Sequence, residues 1–205
     1  HGVRGDDPNA VERAAAAIAS EPVERAATFL TNQGTDAHLR AGTLGDLDDG
    51  RAYRVDGTVE SPPETRPGGH VFVTLAAADA ELDCVAFEPT KRFRDRVRAL
   101  RVGDDLTVCG EVGEGTLKLE KFAVQSLNTV EERTPTCPDC DRRMKSAGRG
   151  QGYRCRDCGT TGERETVEVD RELEVGWYEV PPCARRHVAK PLVRGGFDAP
   201  THPER

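Results

Sequence analysis

Hydrophobic and polar residues alternate most clearly in the middle of the chain, where the pattern predicts strands. We predict five of them, at residues 52–59, 70–75, 82–87, 105–112 and 118–127. Apolar side chains at every second position, as at Tyr53 and Val55 or Leu117 and Leu119, are typical of strands with one buried face. Between the third and fourth strands, apolar residues recur at helical spacing, which predicts a helix over residues 90–100.

Three strands, a helix and a closing hairpin follow one another in the order of a five-stranded OB-fold barrel. We therefore predict a mainly β fold with an OB domain at residues 50–130; an SH3-like small barrel is the alternative. Aromatic residues make up only 5% of the chain, so the core must be small and aliphatic. Cys84 and Cys109 lie within apolar strand patterns and are predicted to be core residues.

The pattern of the first 45 residues predicts one helix and one strand. Asp7 followed by Pro8 is a helix start, with Asp as the cap, and an alanine-rich helix is expected to run to about residue 20. Residues 23–30 read as a strand. One helix and one strand cannot bury a core of their own, so residues 1–45 are expected to be the end of a larger α+β domain. The chain begins with His1 rather than Met, and we expect a fragment.

Four cysteines form two Cys-x-x-Cys knuckles, and these are the strongest chemical signal in the chain. This spacing places four thiolates at the corners of a tetrahedron, the geometry of a structural zinc site. The predicted ligands are Cys137, Cys140, Cys155 and Cys158. Two disulfides or a redox pair are the alternatives; a catalytic zinc would need an open position that four thiolates do not leave. We predict a zinc ribbon followed by a basic tail over residues 135–195, with structural Zn²⁺ as cofactor.

Basic residues cluster in three places that we interpret as candidate RNA contacts. The segment between the knuckles combines cations and glycines with one stacking side chain, which suits an unstacked base or a bend in the phosphate backbone. Its candidates are Arg142, Arg143, Lys145, Ser146, Arg149, Gln151, Tyr153 and Arg154. The predicted helix adds Lys91, Arg92 and Arg94, and the tail adds Arg185, Arg186, His187, Lys190 and Arg194. The alternatives are ribbon packing for Tyr153 and plain solvated surfaces for the helix and the tail.

The end of the chain combines Trp177-Tyr178 with Pro181-Pro182, which predicts that the basic tail docks onto something. No function is assigned to Cys183. No nucleophile–base set, phosphate-binding loop or pair of catalytic carboxylates is visible in the sequence. The sequence therefore favours recognition over catalysis.

The charge balance is acidic, with 36 Asp and Glu against 29 Lys and Arg and a net charge of −7. Only five of the cations are lysines. This pattern indicates a haloarchaeal protein, with an ordinary acidic mesophile protein as the alternative. At about 1 M salt the Debye length is about 3 Å, so RNA binding would have to rely on hydrogen bonds, stacking and shape. No apolar run is long enough to cross a bilayer and no signal peptide is visible, so we expect a cytoplasmic protein.

Four segments together resemble one known family. They are Thr31-Asn32-Gln33-Gly34-Thr35-Asp36-Ala37-His38, the barrel run Ala86-Phe87-Glu88-Pro89-Thr90-Lys91, the ribbon from Cys137 to Cys155, and the tail from Tyr178 to Leu192. The chain resembles the C-terminal part of the archaeal isoleucine-tRNA 2-agmatinylcytidine synthetases, which form agmatidine. The segments span nearly the whole sequence.

The resemblance implies an order of kinase-like, ferredoxin-like, OB and zinc-ribbon domains, with residues 1–45 ending the ferredoxin-like part. It implies an ATP-dependent ligase that joins agmatine to carbon 2 of the wobble cytidine in the CAU anticodon of isoleucine tRNA, which allows AUA decoding. ATP and Mg²⁺ would belong to a catalytic domain that we do not expect in this chain. The partner would be that tRNA, and Asn32, Gln33, Asp36 and His38 join the predicted RNA contacts.

Two other functions stay open at this point. A stand-alone single-stranded DNA-binding protein would also combine an OB barrel with zinc. A zinc-ribbon module that binds another protein would need no nucleic acid.

Overall fold

The computed structural model describes residues 2–20 and 22–204. Its contacts divide the chain into two units, His1–Asn32 and Gln33–Arg205, which are described separately.

In the residues that the structure describes, the first unit holds one short helix, α1, at Pro8–Ala16. The predicted start is confirmed, because the Asp7 side chain accepts a hydrogen bond from the Asn9 amide at 2.9 Å. The helix ends at Ala16 rather than near residue 20, and none of its residues is buried. The strand predicted at residues 23–30 is wrong: no strand forms there, and Phe29 and Leu30 are 82% and 104% exposed. A strand needs a hydrogen-bonding partner, and the described part of this unit offers only a helix.

The second unit is built on strands β1 to β7. Their bounds are Leu39–Ala41, Ala52–Val59, Glu64–Thr65, Val71–Ala77, Ala80–Ala86, Asp105–Gly113 and Thr116–Ser126. The five predicted barrel strands are confirmed as β2, β4, β5, β6 and β7. The predicted helix is present in two pieces, a 3₁₀ turn at Glu88–Thr90 and α2 at Phe93–Arg98. Lys91 breaks it, because its backbone turns to φ +50°.

The five long strands close into an OB-fold barrel in the order β2–β4–β5–β7–β6 and back to β2. All neighbours are antiparallel except β5 and β7, which pair parallel with Cys84 opposite Leu117. A bulge between Cys109 and Gly110 bends β6 around the barrel. A side chain at Gly110 would lie 2.1 Å from the Lys118 carbonyl oxygen, so this corner requires glycine.

The core is aliphatic, as the composition predicts, and three rings close one end of it. Phe122 lies 5.5 Å from Phe93 of α2 and 5.3 Å from Tyr178, measured between ring centroids. Cys84 and Cys109 are both fully buried, which confirms them as core residues. Burial raises the pKa of the Cys109 thiol to about 12, so the thiol is neutral and unreactive.

The zinc ribbon projects from the barrel on a two-stranded stalk. The stalk is β8 (Val130–Arg133) paired antiparallel with β12 (Glu165–Glu168). The ribbon between them is a three-stranded sheet of β9 (Lys145–Ser146), β10 (Tyr153–Arg154) and β11 (Thr161–Gly162). Both ends of the ribbon therefore return to the barrel.

The tail then packs onto the barrel. β13 (Gly176–Glu179) pairs antiparallel with β7, and β14 (Thr201–His202) pairs parallel with β13. A 3₁₀ turn at Leu192–Arg194 lies between them. All four residues of β13 are buried, so the prediction that Trp177-Tyr178 docks is confirmed, with the chain's own barrel as the surface. Among the residues described, no helix is long and apolar enough to cross a membrane.

A buried ion pair joins the base of the stalk to the barrel. Arg171 follows the stalk, and its guanidinium donates to both carboxylate oxygens of Asp104 at 2.7 and 2.8 Å. It also donates to the carbonyls of Asn128 and Ala99, at 2.6 and 3.0 Å. The side chains of Arg171 and Asp104 are 3% and 0% exposed. The planar Arg171 guanidinium thus donates hydrogen bonds to a carboxylate and to two carbonyls, and these bonds fix the direction in which the stalk leaves the barrel.

Candidate metal centre and nucleic-acid interface

The four predicted metal ligands come together at one end of the ribbon. The Sγ atoms of Cys137, Cys140, Cys155 and Cys158 all lie within 4.8 Å of one another. Those of Cys137 and Cys158 are 3.5 Å apart. A tetrahedral Zn²⁺ with bonds of about 2.3 Å to sulfur requires sulfurs about 3.8 Å apart, so the four thiols fit this ion.

The two knuckles repeat one backbone design. The amide of Cys137 donates to the Arg142 carbonyl, and the amide of Cys155 donates to the Thr160 carbonyl, each at 2.8 Å. Asp141 and Gly159 follow the second cysteine of each knuckle, at φ +51° and +80°, and donate back to the first cysteine's carbonyl. Gly159 therefore forms a tight turn directly after the last cysteine. The first knuckle makes the same turn with an aspartate, at a cost in backbone strain.

The surroundings of the four thiols shift their pKa values in different directions: hydrogen bonding with Cys158 and burial raise the pKa of Cys140 to about 12, whereas that of Cys158 is lowered. The Thr160 hydroxyl lies 3.1 Å from Cys158 Sγ and donates to Asp139 at 2.6 Å. Hydrogen bonding with Thr160 lowers the pKa of Cys158 to about 6. Neighbours of this kind orient the ligands of metal sites.

The segment between the knuckles forms a hairpin, and it separates packing residues from exposed ones. Met144 is buried against Cys137 and Cys155, with Tyr153 half-buried beside them. The packing alternative for Tyr153 is therefore present, although part of the side chain stays accessible. Arg142 pairs with Asp157 at 3.0 Å, and Arg154 donates to the Gly159 carbonyl at 3.1 Å.

The remaining cations of the hairpin face solvent. Arg143, Lys145 and Arg149 are exposed, and none of them forms an ion pair with any residue that the structure describes. Ser146 and Gln151 are exposed on the same hairpin. The turn between β9 and β10 contains Gly148, Gly150 and Gly152, all at positive φ. The hairpin thus offers unpaired positive charge and an accessible backbone within a frame held by four cysteines.

The candidates near the helix are mostly engaged within the protein. Arg94 donates to the Gly69 carbonyl at 2.5 Å and pairs with Glu88 at 3.4 Å. Arg92 lies 3.6 Å from Glu204. Lys91 is exposed. This surface therefore carries less free charge than its sequence implies.

Three of the tail cations are also engaged, in contacts that hold the tail on the barrel. Arg185 pairs with Glu179 at 2.7 Å, and Arg186 pairs with Glu111 and with the buried Glu120. Burial raises the pKa of Glu179, and Arg185 opposes this shift. Arg194 donates to the Gly34 carbonyl at 2.7 Å.

The segment around Gly34 also contacts the tail. The Gly34 amide donates to the His187 carbonyl at 2.5 Å, and the His38 and His187 rings meet edge to face at 5.5 Å. Asp36 binds the buried Lys121 ammonium at 2.5 Å. Asn32 and Gln33 are exposed. The sequence analysis did not single out Glu120 and Lys121; two adjacent charges between Leu119 and Phe122 were the available signal.

Two family models match parts of the chain. The TiaS FLD domain matches residues 1–38, and the TiaS C-terminal zinc ribbon domain matches residues 134–173. Relatives named as the isoleucine-tRNA 2-agmatinylcytidine synthetase TiaS match almost all of it. The protein from Haloquadratum walsbyi is 55% identical over 100% of this chain and 53% of its own length. The protein from Methanosarcina mazei is 51% identical over 94% of this chain and 46% of its own length.

Solved structures agree with these relatives. A complex of TiaS with its isoleucine tRNA and ATP matches 98% of this chain and 48% of its own, with 40% identity and a TM-score of 0.80. A complex of TiaS with the same tRNA, AMPCPP and agmatine matches 98% of this chain and 47% of its own chain, with 39% identity and a TM-score of 0.78. The chain spans about half the length of the curated relatives it matches. The halophilic composition agrees with the Haloquadratum relative.

Proposed function

The chain belongs to the TiaS family of isoleucine-tRNA 2-agmatinylcytidine synthetases, and from this we propose that it is the tRNA-binding part of such an enzyme. The full-length enzyme would join agmatine to carbon 2 of the wobble cytidine in a CAU anticodon. ATP, Mg²⁺ and agmatine would act at the part of the relatives that this chain does not match. The observation that carries the proposal is the exposed, unpaired basic hairpin on a cysteine-held ribbon.

Within this proposal, Arg143, Lys145 and Arg149 contact phosphates of the anticodon loop. The glycines of the turn let the RNA approach the backbone, and Gln151 and Ser146 offer hydrogen bonds to bases. The fit of the four thiols supports structural Zn²⁺ at Cys137, Cys140, Cys155 and Cys158. The ion would hold the two knuckles together and so fix the hairpin's shape. The chain's own residues would bind and orient the loop.

Binding to two unmodified transcripts, an isoleucine tRNA and a methionine tRNA that both carry the CAU anticodon, tests the proposal. The triple variant Arg143→Gln, Lys145→Gln and Arg149→Gln is expected to bind the isoleucine tRNA about a hundredfold more weakly, since three lost charge-assisted contacts at about 1 kcal/mol each cost about 3 kcal/mol. A control variant with Gln at positions 13, 51 and 118 removes the same charge outside the ribbon. Equal losses in both variants, or equal binding to an unstructured oligonucleotide, would contradict the proposal.

A further inference from the structure

A cavity beside the barrel lies apart from the ribbon. It has a volume of about 420 Å³ and lies between β2, β7, β13 and the tail that follows residue 190. Binding sites for small molecules fall in the range of about 300 to 1,000 Å³. Trp177, Phe197 and Leu39 form its apolar wall.

Three cations and two carboxylates line this cavity, which leaves one positive charge in excess. Lys121 pairs with Asp36 at 2.5 Å, and Arg54 pairs with Asp198 at 3.2 Å. The fifth charged group is Lys190. Among the residues described, its ammonium forms no ion pair or hydrogen bond and lies 5.3 Å from the centre of the Phe197 ring.

Each carboxylate oxygen in the cavity already accepts one hydrogen bond. One oxygen of Asp36 accepts from Lys121, and the other accepts from the Lys190 amide at 2.5 Å. One oxygen of Asp198 accepts from Arg54, and the other accepts from the Trp177 indole at 2.9 Å. The charged group that has no partner among the described residues is the Lys190 ammonium, an N–H donor with positive charge. Such a donor is complementary to an oxyanion with several acceptor oxygens.

The Lys190 ammonium is presented by a fixed backbone. Asp36 holds the Lys190 amide, and Asp36 is itself held by the buried Lys121, whose side chain is 1% exposed. A donor whose backbone is held before the ligand arrives loses less conformational entropy on binding. We propose that this cavity binds the phosphate group of a nucleotide-sized ligand, with the Lys190 ammonium as the main donor and Arg54 beside it.

Titration of the 205-residue chain with adenosine monophosphate tests the site, with inorganic phosphate as the minimal probe. Calorimetry at one fixed potassium chloride concentration is expected to give one saturable site for adenosine monophosphate. Lys190→Gln should weaken it about tenfold or more, the usual effect of losing a charge-assisted hydrogen bond. Lys190→Arg should retain most of the affinity. Lys118→Gln removes the same charge outside the cavity and should leave the affinity unchanged.

A competition experiment distinguishes two sources of the phosphate. Displacement of adenosine monophosphate by the isoleucine tRNA transcript would support the site and assign it a phosphate of the RNA; no displacement would support the site and assign it a free nucleotide. Equal losses in Lys190→Gln and Lys118→Gln would overturn the proposal. So would the absence of a saturable site together with unchanged tRNA affinity in Lys190→Gln. The adenosine monophosphate titration does not require tRNA binding, so its failure is distinguishable from failure of the proposed function.

Discussion

The pair of Arg171 and Asp104 provides the sharpest test of how the ribbon is held. Arg171→Met keeps the aliphatic stem but removes the guanidinium, which leaves a fully buried carboxylate without its cation. Two backbone amides, of Arg101 and Asn128, still donate to that carboxylate at 2.8 Å, so it stays partly satisfied. The carbonyls of Asn128 and Ala99 lose their donor.

Breaking a buried pair by removing one partner costs about 3 to 5 kcal/mol of unfolding free energy. For a unit of this size, about 1 kcal/mol shifts the melting temperature by about 2 to 4 °C, so we expect a loss of about 6 to 20 °C. The measurement is thermal unfolding followed by Trp177 fluorescence at fixed potassium chloride, because the chain has one tryptophan and it is buried beside the barrel.

The matched control is Arg101→Met, which breaks the exposed pair between Arg101 and Glu131. Surface pairs contribute about 0 to 1 kcal/mol, so this variant should melt within a few degrees of the parent protein. If Arg171→Met and Arg101→Met melted alike, the buried pair would not be a main source of this fold's stability. A melting temperature unchanged by Arg171→Met, together with weaker tRNA binding, would leave the pair a role in orientation only.

Two further predictions concern the metal centre. Chelation of zinc is expected to unfold the ribbon and abolish tRNA binding, because metal binding supplies most of a ribbon's folding free energy. Trp177 fluorescence should stay unchanged. Unaltered tRNA affinity after chelation would contradict the ribbon's proposed role. Asp141→Gly should raise the chelator concentration needed to unfold the ribbon, since glycine relieves about 0.5 to 1 kcal/mol of strain at φ +51°, whereas Gly159→Ala should lower it.

Local patterns were enough to predict the barrel and the grouping of the four cysteines. The bounds of β2, Ala52–Val59, agree with the prediction at both ends, because alternation and flanking turns are properties of neighbouring residues. The cysteine spacing worked for the same reason: each knuckle is a local turn. The strand predicted at residues 23–30 was wrong, because an apolar segment does not reveal whether a partner strand lies beside it.

The charges were harder to interpret, because their partners are distant in sequence. Arg186 looks like part of a solvated basic tail, yet it pairs with Glu120, 66 residues earlier. Arg171 carries no local signal of its contact with Asp104. Most of the basic residues predicted to bind RNA on the helix and tail are therefore tied within the protein, and only the hairpin keeps several cations that form no ion pair among the described residues. The RNA contacts themselves stay predictions.

The position of β13 has a consequence for the order in which the protein is completed during synthesis. Along one edge of β7, β5 pairs with residues 116–118 and β13 pairs with residues 121–124. Everything between β7 and β13, including the stalk and the ribbon, must leave the ribosome before that edge is covered. A nascent chain that ends after the barrel would leave the surface around Cys109 and Ala123 exposed to water. The ribbon is in this sense an insertion within a sheet, and the barrel becomes a finished folding unit only after the whole ribbon has been made.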